Sequence, residues 1–289
     1  MDTVDAHLHL FKALSDEYPR AIFEEMTPPE REETAERLLE AMDQAAIDRA
    51  VVVALSKEDR YLGEVLAAYP GKFVGVSVHD FEVDDHVESL RRRVESIGIQ
   101  GLRLYGLNAE PGAHAESIEV FPLLEAMRDL DVKGWFYGPP DQVRALDKCL
   151  ELLPDLDIVL NHLGFLPDME AELRIDEFGR PRFDIGLPPK GLDLVEQMAR
   201  KHSSVNVLFS GHYAFSAEEY PYPDLQEVVD RVYRAFGADR MMMASDWPWI
   251  RENPGYGETL SLVDHLLPEI SSAERDRIRG GTAMSLFGF

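Results

Sequence analysis

Residues 3–11 read T-V-D-A-H-L-H-L-F, and the organisation of the chain follows from how that run is laid out. Val4, Ala6, Leu8 and Leu10 alternate with Asp5, His7 and His9, the period of a β-strand that sends successive side chains to opposite faces. His7 and His9 then point the same way. Two imidazoles two residues apart at a strand end make half of a metal site, because neutral imidazole is a common ligand for zinc and its neighbours. Alone, an H-x-H pair more often describes polar residues leaving a strand, so its weight depends on where the other polar residues fall.

Outward from this strand, a regular alternation is predicted. Thr27-Pro28-Pro29-Glu30 reads as a capping box that opens a helix, with Ala35, Leu38, Leu39, Met42 and Ala46 at helical spacing. Strands are expected at 49–55, 73–80, 99–106, 132–138, 157–164, 205–212 and 240–249, with helices ending near 69 and covering 84–97, 120–131, 140–153, 191–202 and 224–236. A long loop, 165–190, follows strand six. Two helices, 258–267 and one opened by a capping box from Ser271 to Glu274, close the chain. Eight short apolar strands alternating with helices predict a single-domain (β/α)8 TIM barrel over 1–289 with a C-terminal extra helix. A doubly wound open sheet also alternates, but it usually carries a glycine-rich first turn, and strand one runs into His-Leu-Phe instead.

The composition narrows the partners. With 29 basic and 54 acidic residues the formal charge is −25, a surface that repels phosphate backbones and anionic membranes, so neither is expected as a partner. The basic set is 7 Lys and 22 Arg; few lysines among many carboxylates suit a protein adapted to high salt. No run of eighteen apolar residues and no basic, apolar leader is read, and the one cysteine, Cys149, falls on an apolar helical face. A cytoplasmic protein without disulfides is expected, with a small-molecule substrate and room for a homo-oligomer.

In a parallel barrel every strand opens its C-terminal end on one face, where the active site lies. The polar residues that end these strands are His7 and His9, His79 and Asp80, Arg103 and Tyr105, Tyr137, Asn161 and His162, Ser210 and His212, and Ser245 and Asp246. That concentration of histidine at one end is far more specific than the H-x-H pair.

D-A-H-L-H, G-L-R-L, N-H-L-G, S-G, A-S-D-W-P and the terminal G-G-T-A-M-S-L-F-G follow one another in an order that resembles the amidohydrolase-related branch of the amidohydrolase superfamily. The resemblance covers essentially the whole chain. It implies a (β/α)8 hydrolase or decarboxylase acting on small carboxylated or sugar-derived molecules. It also implies that His7 and His9 are metal ligands, that Asp246 is both ligand and base, and that His162 is an acid, base or electrophile. The implied cofactor is a divalent metal, zinc foremost. Two departures stand out. Strand five ends W-F-Y-G-P and lacks the histidine that metal-dependent decarboxylases of the branch place there, so the ion is held weakly or dispensed with. The usual G-G-N-A is G-G-T-A, with Thr282 at a helix start.

Hydrolysis needs a base for water, a group to hold the developing oxyanion and an acid for the leaving group. Asp246 can supply the first and third; a metal, or the imidazoles with His162, the second. Without metal an activated ester remains within reach, which favours a lactone over an amide. Arg103 suits a substrate carboxylate by bidentate hydrogen bonding, while Arg174, Arg180 and Arg182 in the long loop read equally as surface ion pairs. Tyr105, Tyr137, Ser210 and Trp247 are candidate substrate contacts, and Trp135 and Trp249 candidate walls. The expected function is hydrolysis of a small cyclic ester. The alternatives are a non-oxidative decarboxylase of a carboxylated ring and a non-catalytic small-molecule-binding barrel.

Overall fold

The structure, a computed structural model, describes residues 2–23, 25–165 and 172–289. Its main sheet holds eight parallel strands: β1 (Val4–Leu8), β2 (Arg49–Val53), β3 (Phe73–Val78), β4 (Gly101–Leu104), β5 (Lys133–Phe136), β6 (Ile158–Leu160), β9 (Val205–Phe209) and β10 (Met241–Met243). Each is short, apolar and buried, as strands covered on both faces must be. The ring closes just beyond β10. There the backbone N–H of Asp246 donates to His7 O at 2.9 Å and that of His9 to Trp247 O at 2.8 Å, with Leu8 paired to Trp247. The expected (β/α)8 barrel is thus formed.

A helix follows each barrel strand: Ala35–Ala45, Arg60–Ala68, His86–Ile97, Phe121–Asp129, Pro140–Leu152, Leu192–Lys201, Gln226–Phe236 and Tyr256–Leu266. The first starts later than the sequence suggests. Thr27 caps no helix; its Oγ1 accepts from the Phe23 N–H, and Phe11 pairs with Glu33 as an extended bridge that holds the segment before Thr34 out of helical form. Arg20 reinforces this layout by donating to the carbonyls of Lys12, Thr27, Pro28 and Arg31. A capping signal loses here to tertiary pairing. The second capping box forms as expected, Ser271 and Glu274 exchanging side-chain bonds at the start of Ser272–Asp276.

The expected loop 165–190 is more ordered than its prolines and glycines suggest; its residues 166–171 lie outside the described ones. Strands β7 (Glu172–Ile175) and β8 (Pro181–Asp184) pair antiparallel around a turn in which Asp176 accepts from the N–H groups of Phe178 and Arg180. Arg182 ties β8 down through the Ser216 carbonyl, and Phe183 lies 6.3 Å from the Phe215 ring. A short helix, His212–Phe215, which periodicity did not reveal, supplies that platform.

Two cores result. One joins the outer strand faces to the helices. The other gathers Val4, Ala6, Val51, Val53, Val74, Val76, Trp135, Val159, Leu208, Met242 and Ala244 with Ala283 and Phe287 of the last helix, as the filling of a barrel lumen does. Strand β1 contributes to both, because its register against β2 shifts between Asp5 and Leu8. Val4 and Ala6 belong to the lumen, whereas Leu8 and Leu10 belong to the outer core. The strict alternation read from residues 3–11 therefore breaks in mid-strand. Thr282 opens the helix Thr282–Phe287 and donates to Ala238 O, a structural role as expected, and a Cβ at Gly280 before it would clash with the Asp2 carbonyl.

Candidate active site

Asp246 is the hub at the C-terminal end of the barrel. It is buried, in a left-handed backbone conformation (φ 62°) that side chains other than glycine seldom adopt. Its Oδ1 lies 3.5 Å from His7 Nε2 and 3.5 Å from His9 Nε2, and its Oδ2 4.0 Å from His162 Nε2. The ring centres of His7 and His9 are 4.9 Å apart, and those of His7 and His162 5.3 Å. Residues at the C-terminal end of β1 and in the segments that follow β6 and β10 thus meet at one carboxylate.

Each of these side chains is oriented by a further partner. His9 Nδ1 lies 2.9 Å from Val53 O, so this nitrogen carries a proton, and in the neutral ring Nε2 presents a lone pair to the site. His162 Nδ1 lies 3.0 Å from Ser210 Oγ, and His162 also has positive φ (49°). His7 Nδ1 accepts a 2.9 Å hydrogen bond from the Trp135 indole N–H. Tyr213 donates to Asp246 Oδ2 at 2.7 Å.

Electrostatics follow from this packing. Burial, then the neighbouring His9, drive the His7 pKa well below the ordinary imidazole value. Burial likewise pushes His162 down to about 4, with Arg103 and His9 acting in the same sense and Asp246 opposing. Burial alone would raise Asp246, but His162, His9 and His7 around it outweigh that and hold it below the usual carboxylate range. At neutral pH the carboxylate therefore stands beside neutral His7 and His162 rings.

The other expected site residues divide. Arg103 is buried, its guanidinium 4.7 Å from the Tyr105 ring centre and 5.9 Å from that of Tyr137, and its Nε has no hydrogen-bond partner among the described residues. Tyr137 in turn lies 6.2 Å from His162, and Tyr105 is half exposed beside it. Trp249 packs on the His9 ring at 6.1 Å. Trp247 goes elsewhere: fully buried, it belongs to the outer core with its bridge partner Leu8. Trp135 is no exposed wall but fills the lumen beneath His7. His79 and Asp80 stand apart, the first against Phe81 and His86 and the second paired with Lys57, and His212 packs between Phe209 and Tyr222. Arg174 forms an exposed ion pair with Asp184, while Arg180 binds Asp176 and lies 5.6 Å from the Tyr213 ring. Asp5, although on the same strand as His7, turns away: Ser245 N, Ser245 Oγ and Tyr256 OH all donate to its carboxylate, and burial raises it to about 6 against those bonds.

Tyr213 and the Trp135 bond were missed. Neither carries a local signal, since one follows a strand end by several residues and the other sits in an apolar run.

His7, His9 and Asp246 form the three-residue group among the described residues that could hold a metal ion, with their ligand atoms within 4.8 Å of one another. The fit is incomplete. His9 and Asp246 present free acceptor pairs, but neutral His7, accepting from Trp135 at Nδ1, carries its proton on the Nε2 that faces the carboxylate.

Comparison with known proteins points the same way as the motifs. The sequence model of a family described as amidohydrolase matches residues 4–289. An L-fucono-1,5-lactonase of Burkholderia multivorans is 38% identical over 60 residues, a stretch spanning 20% of this chain and 20% of that protein. Among solved structures, a Burkholderia multivorans amidohydrolase with bound zinc superposes with a TM-score of 0.74 at 19% identity, covering 100% of both chains. A Pseudomonas putida protein provisionally assigned as a 2-pyrone-4,6-dicarboxylic acid hydrolase gives 0.72 at 23% identity over 99% of this chain and 97% of its own. A 2,6-dihydroxybenzoate decarboxylase from Rhizobium gives 0.63 at 16% over 99% and 98%.

Proposed function

The chain belongs to the amidohydrolase family, and from that premise we propose that it hydrolyses a small cyclic ester, a lactone that is carboxylated or sugar-derived. The observation that carries this reading is the Asp246 carboxylate held within 4.0 Å of three imidazoles, with the buried Arg103 nearby and its Nε without a hydrogen-bond partner among the described residues.

Asp246 takes a proton from water as the water oxygen bonds to the lactone carbonyl carbon. The oxyanion that forms accepts hydrogen bonds from imidazole N–H groups, His162 and His7 being placed for this. The tetrahedral centre then collapses, the ring C–O bond breaks, and the proton held on Asp246 passes to the departing oxygen. Charge, atoms and protons balance without any further reactant. Arg103, braced by Tyr105 and Tyr137, binds the substrate carboxylate, and Ser210 positions His162. An apolar recess lined by Phe165, Leu187, Leu192 and Phe215 adjoins His162.

Because His7 offers Nε2 as a donor, no step above is routed through a metal. The gathered trio supports a second reading of the cofactor: an ion, with zinc the first choice because it occupies a similar protein's structure, would take His9 Nε2 and Asp246 Oδ1 and would supply an electrophile for the carbonyl.

A panel of lactones and aromatic acids, followed in parallel by pH indicator and by CO2 release, tests the proposal. Acid release from a lactone supports it; CO2 release with no lactone turned over replaces it with the decarboxylase reading, and activity on neither leaves a binding barrel.

A further inference from the structure

An indole N–H is a donor and nothing else, so the nitrogen it meets must offer a lone pair. Trp135 Nε1 meets His7 Nδ1 at 2.9 Å. A neutral imidazole has a single N–H, which for His7 must then sit on Nε2. That atom faces Asp246 Oδ1 at 3.5 Å and has no hydrogen-bond partner among the described residues. His9 shows the opposite arrangement, its Nδ1–H turned to the Val53 carbonyl and its Nε2 pair turned to the carboxylate. A histidine that binds an ion through Nε2 ordinarily donates its other N–H to an oxygen, as His9 can and His7 cannot.

We propose that Trp135 sets the metal affinity of this site by locking His7 as its Nε2–H tautomer, leaving His9 and Asp246 as the ready donors. Trp135 has nowhere to go: it is fully buried in the barrel lumen with its ring centre 5.6 Å from that of Phe287. Turning the His7 ring to free Nε2 would strand the indole N–H in a dry core, a cost charged directly against metal binding. The same bond gives His7 a fixed use without metal, since it keeps an N–H aimed at the reacting centre. Trp135 is thus a positioning residue that acts through His7. The inference concerns the site read above as lactone-hydrolysing, but its tests follow metal and protons, so either reading can fail alone.

The experiment titrates wild type and Trp135→Phe with Zn2+ against a chelating dye, and with Co2+ by its visible absorption. Phenylalanine keeps the ring and removes the N–H, which lets His7 move its proton to Nδ1 and offer Nε2. Zinc is expected to bind the variant at least tenfold more tightly, within the range by which outer partners tune metal sites, and the gain is expected to vanish in Trp135→Phe/His9→Gln. Wild-type binding as tight as the variant's overturns the proposal. Should Trp135→Phe fail to fold, side-chain 15N NMR of the wild type decides: a His7 ring protonated at Nε2 supports the lock, and one protonated at Nδ1 overturns it.

Discussion

The phenol of Tyr213 donates a 2.7 Å hydrogen bond to Oδ2 of Asp246, and both side chains are buried. Burial and the nearby carboxylate raise the Tyr213 pKa well above the ordinary phenol, so the hydroxyl keeps its proton and remains a donor. A bond of this kind to a charged group is worth about 1.5–3 kcal/mol. Tyr213→Phe is expected to lower kcat/KM about tenfold or more. Losing the donor also makes the carboxylate easier to protonate, so the acid limb of the pH–rate profile should move to higher pH. A variant with an unshifted limb would show that the hydroxyl serves packing alone.

Asp246→Asn removes the base while keeping the shape. Asparagine tolerates positive φ better than most residues, so the φ of 62° should survive. Turnover is expected to fall by about 10²–10⁴, the usual contribution of a general base, with the circular dichroism spectrum unchanged. Full activity in this variant would remove Asp246 from the mechanism.

Gly211 sits at φ 76°, where an added Cβ would lie 2.7 Å from His162 Cβ. Gly211→Ala should therefore cost about 1–3 kcal/mol of stability, from backbone strain and from the displaced ring. A denaturant titration reads the first effect. Loss of activity beyond the unfolded fraction reads the second, because His162 would leave Asp246.

Burial lowers the pKa of His79 and His162 to about 4 and that of His212 to about 3. Between those values and the ordinary 6.5 the unfolded chain binds protons that the folded chain refuses. Stability from these groups is therefore complete above about pH 6.5 and is lost as pH falls toward 4. The melting temperature should drop across that window, and His79→Gln should reduce the drop. An identical pH profile in the variant would exclude His79 from the effect.

Much of the surface charge is carried by arginine–carboxylate contacts such as Arg231 with Asp193 and Glu196, yet a net −25 remains. Salt screens the residual repulsion more than it weakens such pairs. The melting temperature is expected to rise in molar KCl relative to low salt. Equal stability in both would end the reading of a salt-adapted surface.

The barrel was legible because its signals are local. Runs such as Arg49–Val53 and the amphipathic helix Gln226–Phe236 each announce their type within a few residues, and eight repeats of the pair leave few ways to close the sheet. The convergence of His7, His9, His162 and Asp246 was legible for a related reason, since parallel strands deliver their C-terminal residues to one end whatever their separation in sequence. Three readings failed where tertiary pairing competes with a local rule. Thr27 gives its hydroxyl to Phe23 instead of a helix, residues 172–184 form a hairpin among turn formers, and Trp247 follows Leu8 into the outer core. The register shift in β1 lies behind the last of these, for it moves Leu8 off the face occupied by Val4 and Ala6.

The sequence by itself determined the sheet, its helices and the mouth at which the polar strand ends collect, because each depends on patterning within one segment. Only the tertiary structure decided which nitrogen of each imidazole faces Asp246. Val53 lies 44 residues from His9, Trp135 128 residues from His7 and Tyr213 33 residues from Asp246, and no short-range pattern can assign a hydrogen-bond partner across such gaps. Those partners set where the protons sit, and the position of a proton separates a nitrogen that binds a metal from one that donates to an oxyanion.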